Sequence, residues 1–178
     1  MRLFGGTTSG GPARRPGEDM WDAVCLSREM KRHRDELFAG VMRPLAPEPH
    51  ELLYAVCAYV SESSGREVRL VLEPFPPGTV SGLWLDLGDH EVIAVEKNTL
   101  SVHQMVILGH ELWHRKEAEG DAVAHVAART DYDLAEERRA ERFGRLLGAK
   151  FRPFLLGTRS STPPDARAGR IWESLGGR

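Results

Sequence analysis

Residues 101–114 repeat apolar side chains at helical spacing, Met105, Val106, Leu108, Leu112 and Trp113, and set His110, Glu111 and His114 among them. A helix with this much apolar surface belongs largely inside a domain. Three ionisable groups taken inside together are costly unless something compensates them. A fold that includes this helix must therefore bring a partner, side chain or ion, to the face that the two histidines share. Helical residues four apart do share a face, about 40° apart in projection. Ser101 and Gln104 have the spacing of a capping box, which predicts a helix start at Ser101.

His110-Glu111-Leu112-Trp113-His114 is an H-E-x-x-H motif. Two imidazoles on one face can bind one metal ion, zinc being the ion this spacing suits best. Glu111 leans toward the same point without being needed as a ligand. There it can take a proton from water and later pass it to a leaving amine. Zinc would lower the pKa of that water toward about 7. The bland alternative is a pair of histidines and a glutamate that merely satisfy one another.

Such a site needs a third protein ligand and one open position. The metzincin extension would put Gly at 117 and His at 120, but the chain has Glu117 and Gly120. The remaining candidates stand in Ala135-Glu136-Glu137-Arg138-Arg139-Ala140-Glu141. On a helical wheel Glu137 projects near Ala140 and Gly144, whose small size permits close approach. Glu136 falls among Ala140, Phe143 and Leu147, and Glu141 lies toward the charged face. The wheel leaves Glu136 and Glu137 both open.

Around this motif the chain reads as α+β. An amphipathic helix is expected from Glu18 to Ala39, closed by Gly40, and a stronger one over about 49–63, ended by Ser63-Ser64-Gly65. Pro44, Pro47 and Pro49 forbid continuous helix between them. Three short runs, near 68–73, 82–87 and 91–95, read as strands, with Gly88-Asp89 as a hairpin turn. They predict a small, mainly antiparallel sheet of about three strands. A last helix is expected from Leu134 to Lys150, ended by Pro153 and Gly157. Residues 115–133 are polar and ambiguous.

One domain is expected over 18–157, between a disordered tail (1–17) and a basic tail (158–178). Residues 1–17 carry three arginines and no acid, and 150–178 carry six basic and two acidic groups. The stretch between has 15 basic and 24 acidic groups, a net of −9. An acidic body suits cations and basic partners and argues against direct nucleic-acid binding. No apolar run approaches the roughly 18 residues that span a membrane. The N-terminus has no secretory h-region. Cys25 and Cys57 both fall in apolar helical patterns, so they are expected to be buried, reduced thiols, and the compartment cytoplasmic.

The H-E-L-W-H segment, followed by Glu137-Arg138-Arg139-Ala140-Glu141-Arg142-Phe143-Gly144, resembles the ImmA/IrrE family of metallopeptidases. That family carries H-E-L-x-H and a later E-x-x-A-x-x-F-A. The likeness covers about 45–150, with a helix, a strand and the Gly82-Leu83-Trp84-Leu85 segment in the family's order. The resemblance implies a zincin-like fold, Zn2+ as cofactor and Glu137 as the third ligand, in the manner of the gluzincins. It also implies a peptidase whose substrate is a helix-turn-helix repressor, cut in stress response or mobile-element control, with some members acting in toxin–antitoxin pairs. Two departures stand out: Gly144 where Ala is commoner, and Trp113 where the family often has Gly.

Several further residues are candidates for supporting roles. His103 could give a hydrogen bond behind the ligands, although its place near a helix start suits plain exposure. His125 and Tyr132 could stabilise an oxyanion, and Asp131 or Asp133 could orient a ligand histidine. His50 and His90 read as helix-start and turn residues, and Trp84 as core. A different class of function, a regulator or toxin component that contains zinc but acts by binding a DNA-binding partner, would not require Glu111.

Overall fold

The computed structural model describes residues 16–43, 47–119 and 134–156, with side chains from Asp22 onward. Four helices and three strands follow one another as α1 (Pro16–Val41), α2 (Leu52–Ser64), β1 (Glu67–Glu73), β2 (Gly82–Asp86), β3 (His90–Glu96), α3 (Ser101–Glu119) and α4 (Leu134–Leu155). Both expected tails, apart from Pro16 and Gly17, lie outside the described residues, as do 120–133.

The sheet is mixed, in the order β1-β3-β2. This corrects the expected mainly antiparallel arrangement, since β3 pairs parallel with β1 and antiparallel with β2. The segment 74–81 contains Pro74, Pro76 and Pro77, which cannot donate to a ladder. It carries the chain one strand beyond β1, and the hairpin returns β3 into the gap. Paired on both edges, β3 is the most apolar strand, with Val92 to Val95 in sequence. The hairpin turns at Gly88, whose φ of 88° lies in the region that glycine adopts without strain.

On the helical side α2 covers β1, α3 packs on β2 and β3, α4 lies along α3, and α1 crosses α2 and α4. Met30, Leu37, Leu52, Val56, Ile93, Val95, Leu108, Trp113, Phe143, Leu147 and Phe151 form one continuous core. Among the described residues, no helix is long and apolar enough to cross a membrane.

Four local expectations change. Helix α1 starts at Pro16 and runs through Gly40 to Val41; glycine there does not end the helix but lets α2 approach, because a Cβ would overlap the Tyr59 ring. Cys25 is exposed while Cys57 is buried. Cys25 is five residues from the buried Met30, about 140° around the helix, and so faces away from the core. Gln104 closes no capping box: its amide donates to the carbonyls of Glu96 and Lys97, at 3.1 and 3.0 Å, and so ties α3 to the end of β3. Finally, α4 continues past Lys150 and through Pro153. Phe151 and Leu155 are buried there, and Phe38 meets both Phe151 and Phe154, so core contacts hold the last turn despite the proline.

Candidate metal centre

His110 and His114 stand on the face of α3 turned toward α4. The two helices approach closely because small residues meet at the crossing. A Cβ on Gly109 would lie 3.0 Å from Gly144 Cα, and one on Gly144 would lie 3.1 Å from the His110 nitrogen and overlap the Val106 carbonyl oxygen. The departure from alanine at 144 is therefore what this helix pair needs.

The close crossing brings the Glu137 carboxylate to the two imidazoles. His110 Nε2 lies 3.0 Å from His114 Nε2. Glu137 Oε2 lies 3.5 Å from His110 Nε2, and Oε1 lies 3.5 Å from His114 Nε2. Among the described residues, these three are the group whose ligand atoms could hold a metal ion together. Tetrahedral zinc, with bonds of about 2.0–2.1 Å, needs its ligand atoms about 3.3 Å apart. The spacings, with each Glu137 oxygen nearest a different imidazole and one ligand atom from each residue within 4.8 Å of the others, are close to that requirement, and two nitrogens and a carboxylate suit zinc. Glu136 is not in the group.

Burial holds both imidazoles neutral, with nitrogen lone pairs available for a metal. The His114 pKa is pushed down to about 3, by burial first and then by His110 and Arg139. That of His110 is lowered by burial, against the raising effect of Glu137 and Glu141. Glu111 goes the other way, to about 8, because burial and then the Glu137 charge disfavour its ionised form. The backbone N–H of Trp84 works against that rise.

These groups share one cavity of about 490 Å³. Helix α3 supplies His103, Val106 and Ile107 beside the motif, α4 supplies Glu137, Glu141 and Arg145, and the far wall is Val80 to Trp84. That wall is an edge strand. Glu96 donates to the Ser81 carbonyl and Leu87 to that of His90, so the alternation turns the backbone groups of Gly82 and Trp84 outward, away from β3. A Cβ on Gly82 would stand 2.6 Å from Glu111 Oε1, so the strand lies directly against that carboxyl.

The remaining candidates divide. His103 lines the cavity but is exposed, two turns before His110. His125, Tyr132, Asp131 and Asp133 lie outside the described residues. His50 is exposed, and His90 opens β3 with its ring 2.7 Å from Asp89. Trp113 faces the core, against Phe143 and His33, and does not line the cavity. Trp84 is core on its indole side. Sequence reasoning missed Gly82, Arg145 and the buried pair Glu91–Arg115. Strand parity could have found Glu91, because it alternates with Ile93 and Val95 toward the core.

Comparison of the chain with models of protein families, with curated proteins and with solved structures found no match.

Proposed function

We propose that this chain is a zinc-dependent metallopeptidase of zincin-like fold, with His110, His114 and Glu137 as metal ligands and Glu111 as general base. One observation carries the reading. Three ligand atoms converge in a cavity that also holds a buried carboxyl, Glu111, and an outward-facing strand edge. A site that only stabilised the fold would have no use for the last two.

Zinc, when bound, supplies Lewis acidity toward a water and a substrate carbonyl. The protein's residues supply the rest. Apart from the Trp84 N–H, which faces Glu111, the outward backbone groups of β2 offer an extended peptide a partner, which sets the scissile bond along the cavity. Glu111 takes a proton from the attacking water and returns it to the leaving nitrogen. Burial raises its proton affinity, which favours the first transfer, and the carboxyl would begin it ionised beside a metal's positive charge. The substrate proposed is a protein, a helix-turn-helix repressor on the strength of the family resemblance, and the proposed compartment is the cytoplasm.

Metal analysis tests the site. About one zinc per chain is expected in the wild type. Glu137→Ala should lose it and Glu136→Ala should keep it. A wild type that takes up no stoichiometric metal when zinc is supplied refutes the reading.

A further inference from the structure

Glu91 on β3 is 1% exposed, and its carboxylate is a hub for three other parts of the chain. The indole Nε1–H of Trp84, on β2, donates to Oε2 at 2.8 Å. Arg115, on α3 and next to His114, donates from Nε to Oε2 at 2.7 Å and from Nη2 to Oε1 at 3.0 Å. Arg66, just before β1, comes within 3.3 Å of Oε1 while holding Asp86 at 2.6 Å.

A buried ion pair is poor evidence for stability, because well-packed apolar residues of similar volume often do as well. Relative placement is what a directional network of this kind specifies. Trp84 shows which placement is at stake. Its indole is fastened to Glu91 on the core side, while its backbone N–H faces outward from the open edge of β2, on the side of Glu111. Gly82 presses on the same carboxyl. The Glu111 side chain thus lies in a slot between α3 and β2. Three bonds accepted by Glu91, one from β2 and two from α3, tie together the two walls of that slot.

We propose that Glu91 is a positioning residue for Glu111: by holding Trp84 and Arg115 together it fixes β2 against α3 and so orients the Glu111 carboxyl. The proposal rests on the reading of Glu111 as the general base.

The test uses the zinc-loaded full chain and two variants. Trp84→Phe keeps an aromatic ring but loses the donor and part of the buried indole's volume, whereas Glu91→Gln keeps the volume and removes the charge. Amide hydrogen exchange by NMR reads the result directly, because the residue-84 amide belongs to no strand ladder and faces away from β3, on the side where the Glu111 carboxyl lies. That protection should fall about tenfold in both variants, and equally in Glu111→Ala, while the amides of β3 keep theirs and zinc content is unchanged. Where peptides are hydrolysed, kcat should fall with KM held. Unaltered protection at residue 84 in both variants, or in Glu111→Ala, would overturn the proposal. So would loss of protection across the whole sheet in the isosteric Glu91→Gln, which would make the network a fold support only. A wild type that hydrolyses no member of a peptide library counts against the peptidase reading, and the exchange result still decides the role of Glu91.

Discussion

Gly144 of α4 lies against the backbone of His110 so closely that a Cβ at 144 would stand 3.1 Å from the His110 nitrogen. The second obstacle there is the Val106 carbonyl oxygen, and neither backbone atom can swing aside as a side-chain tip could. The first prediction follows from this contact. Gly144→Ala should force α3 and α4 apart at the point where Glu137 meets the histidines. Overpacking of this kind costs about 1–3 kcal/mol, or a fall in Tm of roughly 3–10 °C. Zinc affinity should fall as well, read by competition with a chromophoric chelator. An unchanged Tm and affinity would mean that the helices are less tightly apposed than described.

Metal binding should stabilise the chain by mass action, because the three ligand atoms come together only when α3 and α4 are packed. Zinc at a thousandfold excess over Kd should add about 4 kcal/mol to stability. A chelator should reverse the gain. His114→Ala should show almost none of it, and Glu136→Ala should show all of it. An equal rise in Tm with zinc for His114→Ala would place the ion elsewhere.

The two thiols should differ sharply in reactivity. Burial pushes the Cys57 thiol up to about 12, so almost no thiolate forms near neutral pH. Cys25 is exposed on α1. At pH 8 a thiol-exchange reagent should label one cysteine per native chain quickly and the second only after unfolding. Cys25→Ser should abolish the fast phase. Rapid labelling of both thiols would show that α2 opens readily from the core.

The part of the site carried by one helix was legible in the sequence, because a 3.6-residue period fixes which side chains share a face. His110, Glu111 and His114 needed nothing else. Glu137 was harder, since its place depends on how α4 crosses α3, and a helical wheel admits Glu136 equally. The mixed sheet was out of reach for a similar reason: alternation marks strands but not which of them pair. Tertiary contacts also overrode local signals, as at Pro153, where Phe151 and Leu155 keep the helix going, and at Gly40, where an apparent stop is a contact with Tyr59.

The raised pKa of Glu111 predicts a pH dependence of the metal-free protein. Its folded value, about 8, lies above the ordinary 4.5, so the folded state holds this proton more tightly than the unfolded chain does. The stability that the protonated carboxyl contributes is fully present below pH 4.5 and is lost as pH rises through 8. Glu111→Gln keeps the shape and never ionises. In the presence of a chelator it should match the wild type near pH 4.5 and exceed it in urea midpoint at pH 9. His114 contributes in the opposite sense. Its depressed value means that stability present above about 6.5 is lost as pH falls toward 3, in wild type and variant alike. The comparison of the two proteins therefore isolates Glu111. With zinc bound, the nearby positive charge stabilises the carboxylate, and the advantage of Glu111→Gln at pH 9 should shrink. Equal urea midpoints for the two metal-free proteins from pH 4.5 to 9 would show that Glu111 is not held in a buried, charge-averse slot.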